Sequence, residues 1–265
     1  MDNNTIDEKI LTLLKYKNPD DPLKYINDLT KDYCIDKLEN KLIDCKKCCI
    51  SGFNAKSISF GNKNTGILVI NEDIQLDLYN EMIKDDVDIT FAADNIFLNK
   101  FKKYCNLIEA NFSYLFFVRC VNCFIGKTIF NKETCKEEVV KTLSSVNNEE
   151  KINCFHYFLD KYIEIIKPHV IITLGSFASN MLFSVANNNT GNTFALMRDH
   201  GKIFKYKNID VIPTYSISFL DNKNNKMTDE EITQYKCNFV TDLYNAFSLE
   251  KQINYKSKIG NIKMP

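Results

Sequence analysis

The stretch that decides the fold is CFHYFLDKYIEIIKPHVIITLG, Cys154–Gly175. Apolar residues recur through Ile152–Lys167 at helical spacing, Lys167 sits in the last turn, and Pro168 closes the helix. Val170–Leu174 is then an uninterrupted β-branched and aliphatic run of strand length, ending at Gly175, and Ser176–Val185 resumes a helical pattern. A helix, a fully apolar strand and a second helix in that order describe a strand covered on both faces, the hallmark of a parallel sheet.

Working outward, Gly66–Ile70 and Tyr114–Cys120 read as further buried strands, and Ile203–Tyr206 and Val211–Tyr215 as two more. Ile96–Ile108 and Asp229–Leu249 read as helices. Residues 6–44 read as helices broken at Asn18–Pro22, and Phe124–Glu150 is polar and weakly patterned, an insertion. The expected fold class is therefore α/β: a three-layer α/β/α arrangement with a central, mostly parallel four-stranded sheet, plus N-terminal helices. The expected organisation is an N-terminal helical extension at 1–40, one α/β domain at 41–250 with its insertion at 124–150, and a C-terminal tail at 251–265. Ligands bind such sheets outside the carboxyl ends of the strands. Here those ends are Asn71–Leu76, Cys120–Cys123, Gly175–Phe177 and Ser216–Leu220.

Composition narrows the function. With 34 basic and 34 acidic residues the net charge is zero, so nothing draws the whole chain to a polyanion. Lys100, Lys102 and Lys103 read as a solvated helix face. No apolar run reaches the ~18 residues of a membrane span, and the start Met1–Leu14 lacks a basic, cleavable leader. A cytoplasmic location is expected, and there thiols stay reduced. The ten cysteines then point either to buried packing or to a metal. Cys45-Lys46-Lys47-Cys48 is a C-x-x-C pair whose short loop can turn two thiolates onto one metal or cluster. Cys34, Cys49, Cys105 and Cys237 read as buried thiols, and His156, His169 and His200 as packing, surface or loop residues.

From Cys45 onward the order of features resembles the iron–sulfur uracil-DNA glycosylases of the family 4 type and the superfamily around it. The runs that carry the resemblance are Cys45–Cys48, Phe117-Val118-Arg119-Cys120, Cys154–Gly175, Met197–Lys202, Val211-Ile212-Pro213-Thr214-Tyr215 and the helix around Asp242-Leu243. The resemblance covers roughly residues 40–250. It implies a parallel sheet flanked by helices and a [4Fe–4S] cluster held by Cys45, Cys48, Cys120 and Cys154. Cys123 and Cys135 compete with Cys120 for the third place, and zinc on Cys45, Cys48, Cys120 and Cys123 is the alternative metal.

The departures fall at the chemistry. The family's glycine- and proline-bearing loop after the first strand is Asn71-Glu72-Asp73-Ile74-Gln75, with only Glu72 matching. Its base-reading asparagine is Phe116, and its leaving-group histidine is Ser216. A serine hydroxyl supplies only part of the electrostatic help of that histidine. Two readings follow. One is a DNA-associated, uracil-DNA glycosylase-like iron–sulfur protein, a monomer, with lost or altered base excision. The other is an active glycosylase hydrolysing the N-glycosidic bond of uracil or another damaged base. In it, Glu72 or Asp73 positions water, Phe91 stacks on the base, Phe116 lines the site, and Ser216 and Ser218 contact single- or double-stranded DNA.

Overall fold

The computed structural model describes residues 22–47, 59–72, 89–122, 127–131, 136–140, 147–185, 194–221 and 227–260. In chain order its elements are helix α1 (Pro22–Ile43), strands β1 (Phe60–Gly61) and β2 (Ile67–Asn71), helix α2 (Ile89–Leu107) and strand β3 (Leu115–Arg119). A hairpin of β4 (Lys127–Asn131) and β5 (Lys136–Val140) follows. Next come α3 (Asn148–Cys154), a π-helical turn at Phe155–Leu159, α4 (Asp160–Ile166), β6 (Val170–Leu174) and α5 (Ser176–Asn180). The chain continues through a second π turn, Met181–Val185, to α6 (Leu196–Asp199), β7 (Phe204–Tyr206), β8 (Ile209–Thr214), α7 (Ile217–Asp221) and α8 (Asp229–Gly260).

The main sheet has the order β1-β3-β2-β6-β8-β7. Its four central strands are parallel, in the register Asn71↔Arg119, Asn71↔Leu174 and Leu174↔Thr214, so their carboxyl ends line up along one edge. The expected four-stranded sheet is thus the centre of a six-stranded mixed one. The short strands β1 and β7 add an antiparallel edge on each side.

Every residue of β2, β3 and β6 is buried. Strand alternation divides them between two cores. Leu68, Ile70, Phe116, Val118 and Ile171 face Ile35, Leu38 and Leu42 of α1, the α3–α4 run and the start of α5. Ile67, Val69, Phe117, Ile172 and Leu174 face Phe101 of α2 and Phe239 and Leu243 of α8. At about 1.5–3 kcal/mol for each large apolar side chain, these two faces supply the main driving force of the fold.

The decisive stretch folds as its pattern requires, with sharper ends. Asn147 and Glu150 form a reciprocal capping box, each hydrogen bond 2.9 Å, so the helical run starts at Asn148 rather than Ile152. At the other end Lys167 turns left-handed (φ 53°) and Pro168 prevents continuation. Helix α2 starts earlier than Ile96, and α8 runs past Leu249 to Gly260. The segment read as an insertion contains the β4–β5 hairpin. Among the described residues no helix is long and apolar enough to cross a membrane.

Candidate functional site

The chain leaves β2 for β3 on one side and later returns to β6 on the other, so β2 and β6 flank the switch point of the sheet. Ligands of doubly wound sheets bind in the crevice this creates. Glu72 is the residue immediately after β2, and its position is fixed by the opposite wall. Its Oε2 accepts hydrogen bonds from the backbone N–H groups of Phe177 (2.6 Å) and Ala178 (3.3 Å), in the first turn of α5. A carboxylate is favoured there because the first amides of a helix lack intrahelical acceptors and carry partial positive charge. Gly175 makes this approach possible: it lies at φ +92°, and a Cβ on it would fall inside the Glu72 carboxyl group.

Ser216 follows β8, two strands from Glu72. At about 4.8 Å per strand the two strand ends stand roughly 10 Å apart. Ser216 is 3% exposed, and its hydroxyl accepts from the N–H of Phe219 at 3.4 Å, the position of an N-cap for α7. Its Oγ also lies 3.1 Å from Ser218 Oγ, so the structure brings these two together. Phe116 is elsewhere. It pairs with Leu68 in the middle of the sheet, three residues and roughly 10 Å below the level of Asn71, and it is fully buried against the α1 layer. Phe91 lies within α2, its side chain outside the described set; Asp73 is also outside it.

Two features at this edge escaped the sequence reading. The first is Asn122, three residues past β3. It is 2% exposed, and its Nδ2 has no hydrogen-bond partner among the described residues. A buried amide donor without an acceptor costs about 1–3 kcal/mol, and a functional role is one reason a chain retains such a group. The second is a chain of three residues. The Thr214 hydroxyl donates to Asp242 Oδ2 at 2.7 Å, and the same oxygen lies 3.0 Å from His200 Nδ1. Asp242 is 3% exposed, and burial pushes its carboxyl above the ordinary value, against the lowering pull of Thr214 and His200. The imidazole packs on Tyr215, ring centroids 4.8 Å apart, beside Ser216. His200, read from sequence as a plain loop residue, is therefore oriented by a buried carboxylate. Its partner is 42 positions away, which no local pattern reveals.

The cysteines sort by burial. Cys120 and Cys154 are buried within one apolar cluster, and the half-buried Cys45 packs against it. The Cys120 N–H donates to Asn71 O at 3.0 Å, and Asn153 Nδ2 donates to Lys47 O at 3.2 Å, drawing the Cys45 loop toward the start of the Cys154 run. Three soft sulfur donors on one water-poor cluster suit a cluster or zinc in donor type. Among the described residues no group of three His, Cys, Asp or Glu is arranged to hold a metal ion. Cys48, Cys123 and Cys135 lie outside that set. Of the cysteines read as buried thiols, Cys105 is one, its thiol pushed up to about 12 by burial. Cys34 is half-buried, and Cys237 is exposed because it lies on the outward face of α8; Cys49 is not described.

A doubly wound sheet with an acid at its switch point and polar groups along the same edge is the framework of an α/β enzyme superfamily. A family model described as the uracil DNA glycosylase superfamily matches residues 58–240, more than half of the chain, and the chain belongs to that superfamily. A comparison with curated proteins found no match.

Proposed function

We propose that this chain is a DNA-associated member of the superfamily that has lost or altered uracil excision and that holds a [4Fe–4S] cluster through Cys45, Cys48, Cys120 and Cys154. The observation that carries the first part is the pairing of Glu72 with the α5 amides. The acid that would position water is committed to a helix terminus. Ser216 is committed in the same way to a helix cap, and the place of the base-reading side chain is filled by the core residue Phe116. Each of the three positions has a structural use that needs no substrate. The cluster reading is supported by the burial of Cys120 and Cys154 in one apolar cluster and by the half-buried Cys45 packed against it. When bound, the group would supply cross-links that fix the Cys45 loop against the sheet.

Asn122 and His200 favour a second reading, an active glycosylase with relocated groups. In that reaction the bond between C1′ and the base nitrogen breaks, and the bonding pair leaves with the base. A water oxygen bonds to C1′, and the water's spare proton is taken up by a carboxylate. Asn122 Nδ2 would donate to a carbonyl oxygen of the flipped base, and His200, held by Asp242, would offset the charge on the departing base.

Release of free uracil from uracil-containing single- and double-stranded DNA decides between the readings: none is expected, and robust release overturns the first. A broad visible absorbance near ~400 nm is expected of the purified protein, since zinc is colourless. A colourless protein containing zinc would replace the cluster with the alternative metal.

A further inference from the structure

Helix α1 lies outside the stretch that matches the superfamily, yet it is anchored on the sheet by Ile35, Leu38 and Leu42. It runs antiparallel to the α3–α4 run. At the foot, Lys31 Nζ donates to the last carbonyl of α4, Ile166 O, at 3.1 Å. At the top, Asn153 donates to Lys47 O. Between the two runs lies an open groove of about 1630 Å³.

Five lysines line this groove against two aspartates, and one of these, Asp36, is already paired with Lys63 at 3.1 Å. Lys161 is paired with Glu164 at 2.7 Å, which leaves Lys37, Lys41, Lys46 and Lys47 as the positive lining. In a chain of zero net charge this is a one-sided concentration. Two tyrosines stand in it partly exposed, Tyr33 at 41% and Tyr157 at 47%. Lys37 and Lys47 lie over their rings, 5.9 and 4.7 Å from the centroids.

We propose that this groove binds single-stranded DNA. Cations alternating with accessible aromatic rings match a backbone of phosphates carrying unstacked bases. The groove's upper end, Cys45–Lys47, lies beside Cys154. That is the level of the strand carboxyl ends, because α4 descends from there to the start of β6. The upper end of the groove and the strand ends that carry Glu72 and Asn122 therefore lie at the same end of the sheet. Strand binding here rests on the DNA-associated reading and does not require base excision.

The test is fluorescence anisotropy of labelled oligothymidylate with the full chain across a salt series. Lys41→Gln/Lys47→Gln is expected to lower the slope of log affinity against log salt by about 1.4, at about 0.7 for each single-strand phosphate contact. Tyr157→Ala is expected to weaken binding by about tenfold. Lys205→Gln, on β7 at the far edge, is expected to bind as the parent does. Equal binding by all variants, with circular dichroism showing them folded, overturns the proposal. So does competition by polyglutamate as effective as competition by unlabelled oligothymidylate, which would assign the groove to acidic protein. Uracil release by the same variants keeps the two claims apart. Groove-dependent binding without release leaves the groove standing. Release with groove-independent binding removes the groove alone.

Discussion

Gly175 has no side chain where the Glu72 carboxylate lies. The two residues follow the ends of adjacent strands at the switch point, and the empty place of a Cβ on Gly175 is filled by the carboxyl group that binds Phe177 and Ala178. Gly175→Ala must both hold φ near +92° and displace Glu72. The backbone strain alone costs about 1–3 kcal/mol, and the collision adds to it. Glu72→Ala removes two hydrogen bonds to helix amides, worth about 1–2 kcal/mol together. In the double variant the collision is gone while the strained φ remains. Its loss of stability in urea unfolding is expected to be smaller than the two single losses combined. Strict additivity would mean that the residues do not meet.

Asp242 gives a pH signature with a definite sign. Its carboxyl is raised above the ordinary 3.8 by burial. Between 3.8 and the raised value the folded chain holds a proton that the unfolded chain has released. Stability therefore falls as pH rises through that window and levels off above it. Asp242→Asn cannot titrate. The stability of the parent minus that of the variant, from urea midpoints, is expected to decline with pH from about 3.8 upward. A difference that climbs instead would show the carboxyl stabilised as an anion by His200 and Thr214.

Asn122 is held at a cost. Truncation to Ala removes a buried donor without a partner, so the cavity penalty is offset by the desolvation no longer incurred. Asn122→Ala is expected to change stability by less than about 1 kcal/mol, or to raise it, as residues kept for function commonly do. A loss above about 2 kcal/mol in the same unfolding assay would show that the amide has a structural partner.

The cysteine set is checked by colour and iron content. Cys154→Ser and Cys120→Ser are each expected to lose most of the absorbance near ~400 nm and the bound iron. Cys105→Ser, buried on the opposite face of the sheet, is expected to keep both. Full colour in Cys154→Ser would remove that residue from the ligand set.

The sheet was legible because each central strand is a short apolar run bounded by Gly, Pro or a helix, and burial on both faces leaves few other ways to place it. The edges were not. β1 is two residues long, and it is held by its antiparallel pairing with β3 and by Phe60 stacking on Phe117, at 4.7 Å, across the register pair. Glu72, directly after β2, and Ser216, two residues after β8, were read at the carboxyl edge of the sheet, and both lie there. Phe116 was placed by motif position alone, and strand alternation puts it in the core. Asn122 has no pattern around it, and its signal is burial without a partner. The link from His200 to Asp242 joins a loop to a helix 42 residues later, with Thr214 donating to the same carboxylate oxygen, a relationship that only folding creates.

The central claim is that Glu72 serves the fold rather than the hydrolysis of a base. The most direct measurement is release of free uracil from a uracil-containing single-stranded oligonucleotide, comparing the parent chain with Glu72→Gln. No release above the protein-free rate is expected from either. Robust release by the parent that falls by about a hundredfold or more in Glu72→Gln, the scale of a lost acid–base group, would contradict it.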